Sequence, residues 1–213
     1  MNCDKSQMLL YAVTDRSWTG RQSLYEQVES ALKGGVTCVQ LREKELNPDD
    51  FLKEARALVT LCRRFGVPFL INDNVELALA CGADGVHVGQ DDMACALARE
   101  KLGPRKIIGV SAHSVEEALA AARDGADYLG SGAVFATFTK TNVHPLPHET
   151  LREICRSVEI PVVAIGGITK NNLPQLAGTG VSGVALVSAV FAAADIEAEC
   201  RELRGLAESI VRA

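Results

Sequence analysis

Cations and an amide alternate in one short segment of this sequence. The segment Gln40-Leu41-Arg42-Glu43-Lys44 ends an apolar run and leads into a charged stretch. If it is a strand end, Gln40, Arg42 and Lys44 point to the same side, because alternate residues of a strand face one way. Two fixed cations with an amide suit a polyanion such as a pyrophosphate. A solvated loop that opens the next helix is an equal alternative for this segment taken alone.

Carboxylates follow the next two apolar runs. Asp73 ends the third run, and the pair Asp91-Asp92 comes after the fourth. Neighbouring strands lie about 4.8 Å apart, so these groups could share one edge and, with phosphate oxygens, hold Mg²⁺. Each aspartate alone is better explained as a helix cap, Asp73 with Glu76 and the pair before Met93. Taken with the cations, the pattern favours a magnesium site.

The longest gap between predicted elements covers residues 132–147. Thr137 and Thr139 alternate with Phe138, so both hydroxyls could face one ligand while Lys140 adds charge. A loop of this length in a compact barrel is commonly a lid or a binding loop. A surface loop with chance threonines is the alternative.

Glycine and serine follow the last two apolar runs, in Gly166-Gly167 and Val187-Ser188. Glycine lets backbone N–H groups approach a monophosphate closely, and the loops after the last two barrel strands commonly bind phosphate. The alternative is that these glycines only make tight turns. The residues therefore suggest two anion sites, one cationic and one rich in glycine.

A repeated phrase supplies the elements that must position these residues. Near residues 34, 82, 125 and 180, glycine closes a helix-like segment and leads into an apolar run. Apolar strands that alternate with helices indicate a parallel sheet covered by helices, and eight such units predict a single-domain (β/α)8 barrel over residues 1–213. An open doubly wound sheet is the alternative, but no G-x-G-x-x-G follows the first run. The eight runs lie at about 8–14, 37–41, 68–72, 84–88, 106–111, 127–131, 161–165 and 182–187.

Three helix starts are marked by their sequence. Ser23 with Glu26 and Ser114 with Glu117 have the spacing of capping boxes, and Asn47 precedes a proline at the first helical position.

The composition excludes several classes of function. The net charge is −5 and no basic run occurs, so nucleic acid and anionic membranes are not expected partners. No apolar run approaches the ~18 residues of a membrane span, and the N-terminus lacks the pattern of a secretory signal. The seven cysteines form no C-x-x-C pair, which indicates a reduced cytoplasmic protein. Exposed helical faces leave a homo-oligomer open.

Seven motifs, in order and in register over about residues 9–190, resemble thiamine phosphate synthase. They are Leu10-Tyr11-Ala12-Val13-Thr14-Asp15, Gln40-Leu41-Arg42-Glu43-Lys44, Ile71-Asn72-Asp73, Gly85-Val86-His87-Val88-Gly89-Gln90-Asp91-Asp92, Gly109-Val110-Ser111, Thr137-Phe138-Thr139-Lys140 and Ile165-Gly166-Gly167-Ile168. The resemblance implies a (β/α)8 transferase that joins 4-amino-2-methyl-5-hydroxymethylpyrimidine pyrophosphate to 4-methyl-5-(2-phosphoethyl)thiazole. The products would be thiamine monophosphate and pyrophosphate, formed by a dissociative loss of pyrophosphate that Mg²⁺ assists.

The resemblance also implies a role for each matching residue. Asp73 and Asp92 would ligate Mg²⁺, and the catalytic residues would be Arg42, Lys44, Ser111 and Lys140. The pyrimidine pyrophosphate would be bound by Gln40, Leu41, Arg42, Glu43, Lys44, Asn72, Ser111 and Lys140. The thiazole phosphate would be bound by Thr137, Phe138, Thr139, Gly167, Val187 and Ser188.

Three positions depart from the family pattern: Ala136 and Pro147 at the two ends of the long loop, and the bulky Phe138 within it. Two other functions remain as alternatives, a thiazole tautomerase-like isomerase and a non-catalytic barrel that binds a phosphate ligand. The joint presence of the cations and the two aspartates argues against both.

Overall fold

The computed structural model describes residues 3–137 and 145–213. Eight parallel strands pair in chain order and close into a barrel, because β1 pairs with both β2 and β8. This confirms the predicted (β/α)8 fold. The strands are β1 Leu10–Val13, β2 Cys38–Leu41, β3 Phe69–Asn72, β4 Gly85–Val88, β5 Ile107–Ser111, β6 Tyr128–Gly132, β7 Val162–Ile165 and β8 Gly183–Leu186.

Helices cover the outside of the barrel. They are α1 Leu24–Lys33, α2 Pro48–Phe65, α3 Val75–Cys81, α4 Cys95–Leu102, α5 Val115–Arg123, α6 His148–Ser157, α7 Ser188–Phe191 and α8 Ile196–Arg212. The connection after β7 differs from the others, because it contains the 3₁₀ helix Leu173–Leu176 rather than an α-helix. The long α8 packs against both this turn and α1. In the part of the chain that the structure describes, no helix is both long enough and apolar enough to cross a membrane.

Two of the three predicted helix starts are confirmed in full. Ser23 and Glu26 make both hydrogen bonds of a capping box, and Asn47 caps α2 ahead of a proline. Ser114 accepts the N–H of Glu117, as predicted, but the Glu117 carboxylate accepts the N–H of His113 at 2.7 Å. That second half of the predicted box is wrong.

Side chains alternate between two apolar layers along every strand. One set points outward and packs under the helices, as Leu41 and Ile71 do, both fully buried. The other set fills the barrel interior, where Tyr11, Leu70 and Tyr128 belong to one buried cluster. The inward set also carries the polar residues at the C-terminal strand ends, so the fold itself delivers them to one mouth.

Candidate active site

A cavity of about 170 Å³, here called the mouth cavity, opens at the C-terminal ends of the strands. All eight strands or the loops that follow them contribute to its lining. The predicted site residues that it brings together are Gln40, Arg42, Asn72, Ser111, Thr137, Gly167, Val187 and Ser188. Residues assigned to the two predicted anion sites therefore line a single cavity.

Three members of the cationic segment lie elsewhere. Leu41 is fully buried beneath the helices, so its side chain points away from the mouth cavity. Glu43 and Lys44 line a neighbouring depression of about 440 Å³, here called the side depression. Arg42 lines both spaces and separates them. Phe138, Thr139 and Lys140 lie outside the described residues.

The two aspartates assigned to Mg²⁺ follow adjacent strands. Asp73 donates its N–H to the carbonyl of His87 at 2.8 Å, which ties it to β4. Its φ of 63° lies in the left-handed region, and its Oδ2 accepts from Asn72 Nδ2 at 2.6 Å. Asp92 Oδ2 accepts the N–H of Gly89 at 2.7 Å. Both side chains are exposed on the rim of the barrel.

Neither aspartate caps the following helix. The N-cap of α3 is Asn74, whose side chain accepts the N–H of Leu77. The N-cap of α4 is Ala94, which makes no side-chain bond. The helix-cap alternatives for Asp73, Asp91 and Asp92 are therefore wrong.

The donor set at this rim fits Mg²⁺. Among residues 3–137 and 145–213, no three histidine, cysteine, aspartate or glutamate side chains form a metal-ligating group. Mg²⁺ is usually bound by only one or two carboxylates, and phosphate oxygens and water complete its octahedron. Asp73 and Asp92 supply two hard oxygen donors of that kind.

A chain of polar side chains across the barrel floor was not predicted. Gln40 Nε2 donates to Tyr11 Oη at 2.6 Å, and the hydroxyls of Tyr11 and Tyr128 lie 2.8 Å apart. His87 continues the chain, with Nδ1 2.8 Å from Tyr128 Oη and Nε2 3.0 Å from Ser111 Oγ. This network, from Gln40 to Ser111, links strands β2, β1, β6, β4 and β5.

The sequence did hold a signal for one member of this network. The repeated phrase places Tyr128 where Cys38, Gly85 and Gly183 stand in the other repeats, so a bulky polar aromatic points into the barrel at a position otherwise occupied by small residues. Space for its ring comes from Gly109, because a Cβ there would lie 2.1 Å from the ring. Burial raises the pKa of Tyr11 and Tyr128 well above 10, so both are neutral donors and acceptors at neutral pH.

The opposite side of the mouth is built from backbone. Gly166 and Gly167 have φ of 99° and 65°, conformations that suit glycine. The carbonyl of Gly167 accepts from Asn172 Nδ2 at 2.9 Å, and the carbonyl of Gly166 accepts the N–H of Phe135 at 3.1 Å. A Cβ at Gly167 would lie 2.2 Å from the carbonyl oxygen of Ala136. This side therefore presents a fixed backbone that carries no side chain at Gly166 and Gly167.

Comparison with known proteins agrees with this geometry. The family model described as thiamine monophosphate synthase matches residues 10–190. A thiamine-phosphate synthase of Clostridium acetobutylicum is 49% identical over 192 residues, covering 90% of this chain and 91% of that protein. One of Chloroflexus aurantiacus is 50% identical over 198 residues, covering 92% and 91%.

Among solved structures, thiamine phosphate pyrophosphorylase from Pyrococcus furiosus superimposes with a TM-score of 0.89 at 41% identity, over 97% of this chain and 98% of that one. The family match, the sequence identities and the shared barrel cover nearly the same residues. This chain therefore belongs to the thiamine monophosphate synthase family, the transferases of thiamine biosynthesis.

Proposed function

We propose that this chain joins 4-amino-2-methyl-5-hydroxymethylpyrimidine pyrophosphate to 4-methyl-5-(2-phosphoethyl)thiazole, giving thiamine monophosphate and pyrophosphate. The observation that supports it best is the single mouth cavity, lined on one side by Arg42 and on the other by Gly167. One reaction between two phosphorylated substrates needs both kinds of anion site within one space. The names of the similar proteins support the same reaction.

The proposed chemistry requires no proton transfer. The bond between the pyrimidine methylene carbon and the pyrophosphate oxygen breaks, and its electron pair leaves with the pyrophosphate. The lone pair of the thiazole nitrogen then forms the new carbon–nitrogen bond, which leaves a quaternary thiazolium. The pyrimidine amino group donates electrons to the methylene cation between these steps. The protein's contribution is therefore positioning and charge stabilisation.

The side chains divide this work between them. Arg42 and Lys44 stabilise the negative charge that develops on the departing pyrophosphate. Asn72 and the network from Gln40 to Ser111 orient the pyrimidine. The glycine side holds the thiazole phosphate through backbone N–H groups. Asp73 and Asp92 would hold Mg²⁺, which when bound neutralises charge on the pyrophosphate oxygens.

We also propose that the enzyme works in the cytoplasm on these two small molecules. All seven cysteines are free and six of them are buried, which suits a reducing compartment. Exposed leucines lie on three successive outer helices, Leu79 on α3, Leu97 on α4 and Leu119 on α5, and they leave room for a homo-oligomer.

A product assay tests the proposal directly. Purified protein is incubated with both substrates and Mg²⁺, and thiamine monophosphate is measured by fluorescence after oxidation to the thiochrome. We expect product only when both substrates and Mg²⁺ are present. Isomerisation of a thiazole substrate without condensation would favour the tautomerase, and binding without turnover would favour the non-catalytic barrel. Full product formation in excess EDTA would contradict the metal role.

A further inference from the structure

The loops after β1 and β2 each carry one acidic and one basic residue, in reverse order. Asp15-Arg16 follows β1, and Arg42-Glu43 follows β2. Arg16 Nε lies 2.5 Å from Glu43 Oε2, whereas Arg42 Nη1 lies 3.5 Å from Asp15 Oδ2. The two ion pairs join the same two loops, but only the pair of Arg16 and Glu43 is a short hydrogen-bonded contact.

Glu43 uses its carboxylate to shape the β2–α2 loop. Its Oε1 accepts the backbone N–H groups of Lys44, Glu45 and Leu46 at 2.7, 2.6 and 3.2 Å. Its side chain is only 3% exposed. With three backbone donors on one oxygen and Arg16 on the other, this carboxylate is committed to the protein and has little capacity for a ligand.

The charge of Glu43 depends on its partners. Burial alone raises the pKa of its carboxyl, but the N–H of Glu45 and the Arg16 guanidinium outweigh burial and hold the pKa below its ordinary value. Glu43 is therefore ionised at neutral pH. Without Arg16, a buried carboxylate would remain at the centre of the loop with no cation beside it.

Arg16 is held at a second point. Its Nη2 lies 2.5 Å from Glu54 Oε2, in the second turn of α2. The planar guanidinium thus donates to a loop carboxylate from Nε and to a helix carboxylate from Nη2, two separate donors where a lysine has one amine. Arg16, Glu43 and Glu54 together form what we call the loop clamp.

We propose that Arg16 is a positioning residue for the pyrophosphate end of the pyrimidine substrate. Acting through Glu43, it holds the β2–α2 loop so that Arg42 and Lys44, the two neighbours of Glu43, face the substrate. Arg16 is absent from the lining of the mouth cavity and its guanidinium is already engaged by Glu43 and Glu54, so it acts through these neighbours rather than on the reacting atoms. The inference rests on the proposed function, because that function supplies the pyrophosphate.

Two substitutions of Arg16 test the loop clamp by their kinetics. Arg16→Gln is expected to raise KM for the pyrimidine substrate about tenfold, the effect of losing one charge-assisted hydrogen bond, with KM for the thiazole substrate unchanged. Arg16→Lys keeps the charge but replaces the separate donors Nε and Nη2 with a single amine, so its KM should fall between those of Arg16→Gln and the wild type. An unchanged KM for the pyrimidine substrate in Arg16→Gln would overturn the proposal.

Glu54→Gln separates positioning from direct binding. Glu54 lines neither the mouth cavity nor the side depression, and its only part in the clamp is to hold Arg16. If Arg16 acts by positioning, Glu54→Gln raises KM for the pyrimidine substrate by a few-fold, and the Arg16→Gln/Glu54→Gln double variant is no worse than Arg16→Gln. If Arg16 instead binds pyrophosphate directly, releasing it from Glu54 leaves KM unchanged or lowers it, and the clamp is wrong.

Two controls complete the design. Arg99→Gln is the first. It removes the ion pair between Arg99 Nη2 and Asp127 Oδ2, which lie 2.6 Å apart at the other end of the barrel, so it should lower the melting temperature without changing either KM.

Calorimetry with inorganic pyrophosphate and Mg²⁺ is the second control, because it tests the clamp without turnover. Weaker binding of pyrophosphate to Arg16→Gln than to the wild type supports the clamp, whether or not thiamine monophosphate forms in the product assay. Absence of that product would contradict only the proposed function. Equal binding by the two proteins, or no binding by either, overturns the clamp.

Discussion

Cations at the two ends of the barrel have different partners. At the N-terminal end, Arg99 donates to the carbonyls of Gly103, Lys106 and Gly125 at 3.0, 2.6 and 2.8 Å, and to Asp127 Oδ2 at 2.6 Å. Arg63 similarly donates to the carbonyl of Gly82 at 2.8 Å. These side chains satisfy carbonyl groups of helix-to-strand connections, so their work is structural.

At the C-terminal end, Arg16 is engaged by the loop clamp, whereas Arg42 and Lys44 are largely uncommitted. Within the described ranges 3–137 and 145–213, the Arg42 guanidinium has one ion pair, to Asp15 at 3.5 Å, and the Lys44 amine has no partner. Residue type therefore does not separate structural from functional cations in this fold. The separation comes from which end of a strand the residue follows, because only the C-terminal ends open onto the mouth cavity. Each prediction below tests whether the two ends are as different as this comparison requires.

The largest effect is expected for Asp73→Asn. Turnover should fall about a hundredfold, because the change removes one of two carboxylates proposed to hold Mg²⁺. The melting temperature should change little, since asparagine tolerates the φ of 63° at this position and Asn74 caps the helix. Thiochrome fluorescence measures turnover, and calorimetry measures the melting temperature. Equal losses in both would mean that Asp73 has a structural role instead.

A smaller effect, and the most direct test, comes from removing one arginine charge at each end of the barrel. Arg42→Gln should raise KM for the pyrimidine substrate roughly ten- to hundredfold with little loss of stability, since its ion pair with Asp15 is long at 3.5 Å. Arg99→Gln should lower the free energy of unfolding by about 2 kcal/mol, because it removes the guanidinium that donates to the buried Asp127 carboxylate. Urea titration and steady-state kinetics on both variants give the four values. The distinction between the two ends is wrong if Arg42→Gln loses stability with KM unchanged, or if Arg99→Gln raises KM with stability unchanged.

The glycine side of the mouth should respond more weakly. Gly167→Ala and Gly178→Ala place a Cβ at similar φ values, 65° and 73°, so the backbone conformation alone should cost each about 1 kcal/mol of stability. Only at Gly167 does the new Cβ meet the Ala136 carbonyl, whereas nothing lies within 4 Å of it at Gly178. In Gly167→Ala we expect KM for the thiazole substrate to rise about tenfold, the effect of losing one charge-assisted hydrogen bond between a backbone N–H and the phosphate. In Gly178→Ala we expect no rise. A rise in both would assign the effect to backbone strain.

The sequence predicts the barrel well because its evidence is local and repeated. Each helix-closing glycine precedes its strand by only a few residues, and the observed strand bounds lie within about two residues of the predicted runs. The strand-end rule then identifies Gln40, Arg42 and Asn72 without any knowledge of distance.

The polar network was missed because its contacts are not local. Tyr11 and Tyr128 are 117 residues apart in sequence, yet their hydroxyls share a hydrogen bond across the barrel. Spacing rules describe neighbours on one face of a helix or strand, so they carry no information on contacts between opposite strands. The role of Glu43 was obscured for a related reason, since the residue lies within a cationic motif but its carboxylate turns back to bind its own loop.

The smallest effect is expected for Tyr128→Phe, which keeps the ring but removes the central hydroxyl of the network. Tyr11 Oη and His87 Nδ1 each lose one partner, so kcat/KM should fall about fivefold, the equivalent of one neutral hydrogen bond. Both tyrosines are protonated in the folded protein because burial raises their pKa above 10. Their contribution to stability is therefore complete below pH 10 and is lost as the pH rises above 10, where unfolded tyrosine ionises.

The variant retains only Tyr11 of this pair, so its stability should decline less steeply than that of the wild type between pH 9 and 11, as measured by urea titration at each pH. Two equal slopes would mean that Tyr128 is not shielded from solvent. In that case the floor of the mouth would be as open to water as its rim, and its polar groups could orient the pyrimidine no better than the exposed side chains above them.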